Sequence, residues 1–267
     1  MKIPVRILSP FITVTVLFLW GCGNNNNSSP IPSSRVAVYD GTGSWHDSAI
    51  AAKAALVADS QLVNFVTEDD IQASLNDYGL LVMTGEDPRQ ILAALGSTGR
   101  FQIEDLVQRG GGFIGLGVGS YIAADSIDWQ GQPILETPVG LYSGLATGPL
   151  TTLAPPSGYA MVSVTLHDNR FNPALIPSLQ VAYREGPALL VDYPSASVIG
   201  SFDLISEVPA AVAFERGLGR VVLFAVNPEF EENSNADGTS WGSDLTDPES
   251  DWFWLQFATE WCLRQIQ

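Results

Sequence analysis

The chain has 267 residues, of which 46% are hydrophobic, and its 12 basic against 29 acidic residues give a formal net charge of −17. This length and apolar fraction suffice for a sizeable core, and one α/β domain is the simplest organisation. The strong negative charge repels phosphate backbones and anionic lipid head groups, which excludes a nucleic-acid partner.

Residues 1–21 are predicted to be the signal peptide of a lipoprotein. Two basic residues precede an apolar run at 7–20, which is too short, and too closely followed by a polar tract, to be a membrane span. Its end, Leu19-Trp20-Gly21-Cys22, resembles a bacterial lipobox, in which a small residue stands directly before the cysteine that becomes lipidated. The bulky Trp20 departs from that pattern, and the alternative is an ordinary signal peptide with an incidental cysteine.

Acylation of Cys22 would anchor the chain in a lipid bilayer, because each buried methylene contributes about 0.8 kcal/mol. Residues 22–34 are rich in Asn, Ser and Pro without periodicity, so they are predicted to be a flexible tether. Gly23 after the cysteine, rather than Asp, is typical of outer-membrane lipoproteins. It predicts a position in the cell envelope, at the periplasmic face of the outer membrane if the bacterium has two membranes. An acylated Cys22 leaves Cys262 without a disulfide partner, and Cys262 is expected to be a buried apolar thiol.

Residues 35–267 are predicted to form the folded domain, and its first half alternates strands with helices. Strands are predicted at 35–40, 62–66 and 80–83, and helices at 45–57, 68–75 and 103–108. Thr67 suits the N-cap of the second helix, because acidic residues fill the turn that follows it. The alternation predicts a mostly parallel central sheet with helices on both faces, whose ligands bind beyond the carboxyl ends of the strands.

The stretch from Arg109 to Asp125, RGGGFIGLGVGSYIAAD, predicts a buried strand, a tight turn and the start of a helix near Tyr121. Gly115, Gly117 and Gly119 alternate across the turn. This is typical of a strand-to-helix elbow, in which the apex residue is strained and its neighbours cannot carry a Cβ. In an enzyme with such an elbow the apex holds the nucleophile. Here the apex is a glycine, so the sequence indicates a catalytic fold without its nucleophile.

After residue 129 the pattern changes to short β-type runs separated by Gly and Pro, which predicts a β-rich insert of meandering strands. The runs fall at 138–142, 159–166, 179–183, 188–191, 197–202 and 210–215. A hairpin signal at 217–219 leads into a last buried strand at 220–226. An acidic loop at 230–251 follows, and an amphipathic helix from about 248 to 264 closes the chain.

Four stretches of the chain resemble the class I glutamine amidotransferase-like family, most closely the amino-terminal domain associated with biotin-protein ligases. They are VAVYDGTG at the first strand, LLVMTGED at the third, GGGFIGLGVGSYIAA at the elbow and GLGRVVLFAVNPEF at the last strand. The match covers residues 35–125 and 214–264. The resemblance implies a flavodoxin-like fold and a Cys-His-Glu triad. In that triad a thiolate attacks an amide carbon, the imidazole moves the proton and the carboxylate orients the imidazole.

The triad positions of the family fall on Gly117 for the nucleophile, Asn227 for the base and Glu229 for the orienting carboxylate. Glycine has no nucleophile, and an amide side chain cannot act as a base near pH 7. In addition, Glu86 stands where the family tends to have a second glycine in its oxyanion hole, and a carboxylate there would disfavour an oxyanion. The resemblance implies the fold, while these residues argue against the activity of the family.

The crevice at the strand ends is expected to bind a small molecule or an envelope protein, and no cofactor is predicted. Its predicted lining is a mixture of acids, aromatics and an amide: Asp40, Trp45, Glu86, Tyr121, Asn227 and Glu229. The first hypothesis is therefore a membrane-anchored, non-catalytic binding domain. A second is a cell-envelope amide or ester hydrolase using Ser120 and His46, although these are more simply a helix-start residue and a loop histidine. A third is a purely structural envelope protein.

The segment from Asn233 to Asp244, NSNADGTSWGSD, loosely matches a calcium loop. Asn233, Asn235 and Asp237 alternate, Gly238 stands at the turn and Asp244 at position twelve, and hard oxygen ligands of this kind suit calcium. The first position is Asn rather than Asp, however, and the last is Asp rather than Glu. A solvated acidic loop is the favoured interpretation, and no metal site is predicted.

Overall fold

The computed structural model describes residues 33–191, 196–232, 234–247 and 249–265. The predicted signal peptide, Cys22 and nearly all of the predicted tether lie outside these ranges. The described residues belong to one compact unit. In the described part of the chain, no helix is long and apolar enough to cross a membrane.

The described residues contain thirteen strands, four α-helices and one 3₁₀ helix. The strands are β1 (Arg35–Tyr39), β2 (Leu62–Val66), β3 (Leu80–Met83), β4 (Gly112–Leu116), β5 (Ala124–Trp129), β6 (Gln132–Pro133), β7 (Tyr142–Gly148), β8 (Ala160–Leu166), β9 (Ser178–Tyr183), β10 (Ala188–Val191), β11 (Ser197–Phe202), β12 (Pro209–Arg216) and β13 (Gly219–Phe224). The helices are α1 (His46–Ala58), α2 (Glu68–Ala73), α3 (Pro88–Gln108) and α4 (Trp252–Cys262), and the 3₁₀ helix is Gly117–Ala123.

Nine strands form one mixed sheet in the order β2-β1-β3-β4-β13-β12-β11-β8-β9. The first five of these strands are parallel, and the other four continue the sheet through antiparallel pairs. A second sheet has the order β10-β7-β5-β6. The predicted α/β architecture with a parallel sheet is confirmed for the half of the sheet that carries the elbow.

The core lies on both faces of the large sheet because side chains alternate along each strand. Val36 and Val38 of β1 join the cluster that α1 and α4 cover, while Ala37 and Tyr39 join the one that α2 and α3 cover. The second sheet packs in this latter cluster too. Cys262 is buried in the first cluster as a free thiol, as predicted.

The β-rich region is built differently from the meander that its sequence suggested. β8, β9, β11 and β12 extend the large sheet, because the hairpin from β12 to β13 adds an antiparallel strand beside the parallel half. Only β5, β6, β7 and β10 form a separate sheet within the described residues. The strand predicted at 138–142 was misplaced, since β7 begins only at Tyr142.

Two predicted helices also differ from the structure. The helix expected near Tyr121 is instead the end of a 3₁₀ helix, and β5 begins at Ala124. The helix expected at 103–108 is the last part of α3, which begins at Pro88 after Asp87 has capped the backbone N–H of Arg89. Its first part was missed because Gly96, with a φ of 55°, interrupts the helical pattern.

Candidate functional site

The elbow follows β4, and its glycines let neighbouring groups approach the backbone closely. Gly117 has a φ of +49°, a conformation that glycine adopts without strain. A Cβ placed on Gly119 would lie 2.0 Å from the backbone oxygen of Met83 at the end of β3, so no side chain fits there. A Cβ placed on Gly117 would lie 2.7 Å from the side-chain nitrogen of Asn227. The apex of the elbow therefore directly faces Asn227, which follows β13.

Asn227 joins two parts of the chain through its side chain. Its Oδ1 accepts a hydrogen bond from the backbone N–H of Arg184 at 3.0 Å, and its Nδ2 donates to Oε1 of Glu229 at 3.0 Å. The same Oε1 accepts a hydrogen bond from the hydroxyl of Ser48 at 2.6 Å. Because both amide atoms have a partner, the orientation of Asn227 is fixed. The structure thus brings Gly117, Asn227 and Glu229 side by side at the carboxyl ends of β4 and β13.

Glu229 is completely buried. Burial raises the pKa of its carboxyl to about 7, although the hydrogen bonds from Ser48 and Asn227 lower it. Its second oxygen, Oε2, has no hydrogen-bond partner among the described residues. The group acts here as a hydrogen-bond acceptor that holds α1 and Asn227 together.

A cleft of about 430 Å³ opens beside this network, where the loops after β1, β3 and β9 meet. It is lined by Gly43, Ser44, Glu86, Asp87, Arg89, Gln90, Trp129, Gln130, Ser157, Arg184 and Glu185. The guanidinium of Arg184 lies 4.3 Å above the ring centroid of Trp45 and 3.0 Å from a carboxylate oxygen of Glu86. A second cavity of about 510 Å³ shares Gln130 and Ser157 with this cleft and extends over the second sheet.

The six predicted lining residues have different positions relative to this cleft. Glu86 lines it and is exposed. Trp45 lies beneath Arg184, and Asp40 bonds to His46 outside the set of lining residues. Tyr121, Asn227 and Glu229 are buried, and Tyr121 packs edge-on against Trp129 at 5.1 Å between ring centroids. These three residues support the wall of the cleft from behind and are not on its accessible surface.

Arg184 and Glu185 line the cleft but carried no signal in the sequence. They follow β9 in the region of short strands, far along the chain from the glycine-rich motifs. A single Arg-Glu pair in a loop is common in protein sequences and does not by itself indicate a binding site. The pairing of Asn227 with the backbone of Arg184 holds this loop at the strand ends.

Ser120 and His46, the alternative catalytic pair, have separate partners. Ser120 is completely buried, and its hydroxyl donates to the backbone oxygen of Phe224 at 2.6 Å. The side chain of His46 is 68% exposed and bonds to Asp40 at 3.0 Å, and this hydrogen bond raises the pKa of His46. No hydrogen bond within the described residues joins Ser120 to His46. The geometry gives the pair no shared site.

The described part of the predicted calcium loop bonds mainly to protein groups. Asp237 is buried, and its two oxygens accept the backbone N–H groups of Glu231 and Thr239 at 3.2 and 2.8 Å. The hydroxyl of Tyr159 donates to Asp244 at 2.9 Å. Asn233 lies outside the described residues, and Asn235 is exposed.

Comparison with known proteins gives one family and several solved structures of similar fold. Residues 34–247 match the family model described as "Biotin-protein ligase, N terminal". No curated protein matches the chain at a significant level.

Among solved structures, a glutamine amidotransferase is 15% identical, with a TM-score of 0.54 over 73% of this chain and 90% of that chain. A ThuA-like protein from Bacteroides uniformis is 12% identical, with a TM-score of 0.55 over 90% and 95% of the two chains. A GMP synthase subunit from Thermoplasma acidophilum is 13% identical, with a TM-score of 0.51 over 85% and 92%. At such identities the likeness is one of fold.

Proposed function

Since the chain belongs to the family of biotin-protein ligase N-terminal domains, we propose that it is a non-catalytic binding domain with a glutamine amidotransferase-like fold, tethered to a membrane. Its ligand is a small polar molecule that enters the cleft at the carboxyl ends of the parallel strands. The catalytic positions of the fold serve to hold this cleft in shape.

One contact carries the non-catalytic part of the proposal. A side chain at Gly117 would begin 2.7 Å from the amide nitrogen of Asn227, so the two positions crowd each other. Asn227 cannot retreat without breaking its bonds to Arg184 and Glu229, each with a net contribution of about 1 kcal/mol. With no nucleophile at the apex and an amide at the base position, recognition is the function that this arrangement supports.

The cleft supports a small ligand through its size and its charges. A volume of about 430 Å³ falls within the range of roughly 300 to 1,000 Å³ that is usual for small-molecule sites. Its walls carry two guanidinium groups and three carboxylates: Arg89, Arg184, Glu86, Asp87 and Glu185. A ligand with both an anionic group and hydrogen-bond donors would complement this mixture. The side chain of Glu86 is 57% exposed, so an anionic group of the ligand can displace it from Arg184.

The tether part of the proposal rests on the sequence around Cys22, where the lipobox-like residues are followed by the Asn- and Ser-rich stretch. Labelled palmitate should be incorporated into the full chain when it is expressed in a bacterium, and a Cys22→Ser variant should remain unlabelled. Equal labelling of both proteins would remove the anchor from the proposal.

The test of function compares turnover with binding in the full chain. We expect no release of ammonia from L-glutamine and no cleavage of p-nitrophenyl acetate above buffer, for the wild type or for Ser120→Ala and His46→Ala. In thermal shift assays against the common amino acids and dicarboxylic acids, at least one compound should raise the Tm. That shift should be lost in Arg184→Gln, because the variant removes the central cation of the cleft.

Arg109→Gln is the matched control, since Arg109 pairs with Asp105 away from the cleft and its loss should leave the ligand-induced shift unchanged. Turnover by the wild type that disappears in Ser120→Ala or His46→Ala would establish the hydrolase instead. A Tm shift that survives in Arg184→Gln would contradict the assignment of the ligand to this cleft.

A further inference from the structure

The connection between β13 and α4 gathers three carboxylates at a place that the catalytic positions do not include. Glu232, Asp247 and Asp251 each offer an oxygen, and these oxygens all lie within 4.8 Å of one another. All three residues are buried, with 5%, 6% and 0% of their surface exposed. Side chains of this type are almost never buried to such an extent unless they are paired.

Two of these carboxylates lack the partners that would compensate their burial. Both oxygens of Asp251 and one oxygen of Glu232 have no hydrogen-bond partner among the described residues. Neither residue forms an ion pair there. Asp251 stands at the N-cap of α4, where an aspartate usually accepts a backbone N–H, yet its side chain makes no capping bond. An oxygen of this side chain lies instead within 4.8 Å of the carboxylates of the other two acids.

The cost of this arrangement indicates that something else is held there. An ionised carboxylate that is buried without a partner costs several kcal/mol, and three within one small volume also repel each other. Burial and the neighbouring acids raise the pKa of Asp251, and burial raises the pKa of Glu232 to about 7. A bound cation or bound protons can relieve the repulsion, and a cation can be held by all three groups at once.

We propose that Glu232, Asp247 and Asp251 form a binding site for a divalent cation, with calcium preferred over magnesium. The three donors are hard carboxylate oxygens, without a nitrogen or sulfur ligand that would select a transition metal. Calcium holds its ligands at about 2.3 to 2.6 Å, so oxygens on opposite sides of the ion are roughly 4.6 to 5.2 Å apart. The three oxygens lie within 4.8 Å of one another, which is compatible with that sphere, and magnesium suits a cage of protein carboxylates less well because it demands near-octahedral geometry and keeps several of its waters.

Occupation of this site would order the segment that supports the cleft. Phe230, two residues before Glu232, packs against Trp45 at 4.8 Å between ring centroids. Trp252, which follows Asp251, donates its indole N–H to the backbone oxygen of Glu229 at 2.8 Å. The cation would therefore join the start of α4 to the strand end that carries Asn227 and Glu229, whether or not the cleft binds a ligand.

The site is tested by isothermal titration of the full chain after chelation with EDTA. Calcium chloride should bind at one ion per chain, with a Kd between about 10⁻⁷ and 10⁻³ M, as in protein calcium sites. Magnesium chloride should bind at least about tenfold more weakly, because magnesium demands near-octahedral geometry and loses its water reluctantly. Calcium should also raise the Tm in a concentration-dependent way.

Two variants and one control assign the ligands. Asp251→Asn and Glu232→Gln should each weaken calcium binding about 100-fold or more, since even indirect contacts of a metal site often contribute 10- to 100-fold. In EDTA their Tm should equal or exceed that of the wild type, because an amide replaces a buried unpaired carboxylate. The control is Asp244→Asn, in the same acidic segment but exposed and bonded to Tyr159, and it should keep the wild-type affinity.

Three results would overturn the proposal: no calcium heat from the wild type at millimolar concentration, unchanged affinity in both ligand variants, or a loss of affinity in Asp244→Asn alone. The last result would instead favour the loop from Asn233 to Asp244. If Asp251→Asn fails to fold, Glu232→Gln decides the assignment by itself.

Discussion

Two buried polar clusters include residues of the connection from β13 to α4. They differ in how many of their buried polar atoms have hydrogen-bond partners. At the elbow, both amide atoms of Asn227 have partners, and one oxygen of Glu229 accepts two hydrogen bonds. In the acidic cluster, both oxygens of Asp251 have none among the described residues. The first cluster is mostly paired within the protein, with only Oε2 of Glu229 lacking a partner among the described residues, while the second would need a cation or protons.

This difference separates the positions that the family resemblance assigns to a catalytic triad from the acidic cluster, where we propose that a cation binds. A network in which most polar atoms are paired stabilises the folded chain and gains less from a ligand than an unpaired cluster does. An unsatisfied cluster reduces stability until a ligand arrives, so binding there is coupled to folding. If this comparison is correct, substitutions in the two clusters should change the free energy of unfolding in different directions.

The largest effect is expected for Gly117→Ala at the elbow. The new methyl group would meet the amide of Asn227 at 2.7 Å in a backbone conformation that disfavours alanine, and the expected loss is about 3 kcal/mol of unfolding free energy. The control is Gly131→Ala, at a position that also has a positive φ, of +74°, but no atom within 4 Å of the added Cβ. It should lose only about 1 kcal/mol, by urea unfolding. Equal losses in the two variants would mean that Asn227 does not confine the apex.

Asn227→Ala tests whether the elbow network is satisfied. It removes a donor to Glu229 and an acceptor for the backbone of Arg184, and we expect a loss of about 2 kcal/mol in urea unfolding. In the same buffer with EDTA, Asp251→Asn should not destabilise the chain. Exposed Asn76, with no side-chain hydrogen bond that the structure describes, is the control, and Asn76→Ala should be neutral. A higher free energy of unfolding in Asn227→Ala than in the wild type would mean that the elbow network does not stabilise the fold.

The smallest effect is expected for Ser120→Ala, beneath the elbow. Loss of the hydrogen bond to Phe224 leaves one buried carbonyl oxygen without this donor and should cost about 1 kcal/mol of unfolding free energy. Ser126→Ala, on an exposed position of β5, should change it by less than about 0.5 kcal/mol. A Ser120→Ala variant as stable as the Ser126→Ala variant would mean that this hydroxyl adds nothing to the elbow.

Much of the parallel half of the fold could be predicted because local patterns determine it. The apolar runs at 62–66 and 80–83 coincide with β2 and β3, and Thr67 caps α2 through a reciprocal bond with Asp70. The antiparallel half was harder to predict, because a short strand with alternating residues can join either sheet. The pairing of β12 with β13 decided that assignment through contacts that no local pattern contains.

The candidate sites show the same division. The glycine at the apex and the amide at position 227 are properties of the sequence, and they argue against the catalysis of the family in any conformation. Sequence spacing gave only a loose match to a calcium loop, at Asn233, Asn235, Asp237 and Asp244, and the favoured interpretation of that segment was a solvated acidic loop. In the structure, Asp237 accepts backbone hydrogen bonds within the loop, and the acids that lie together are Glu232, Asp247 and Asp251.

The sequence by itself determined most elements of the parallel half and the lack of a side chain at the elbow apex. Hydrogen-bond capping, side-chain alternation and the absence of a side chain act over a few residues. Only the tertiary structure decided that Arg184 lines the cleft and that three distant acids share one buried volume. Those arrangements depend on which loops the packing of the sheets and α4 brings together, and the free energy of that packing is distributed over the whole core.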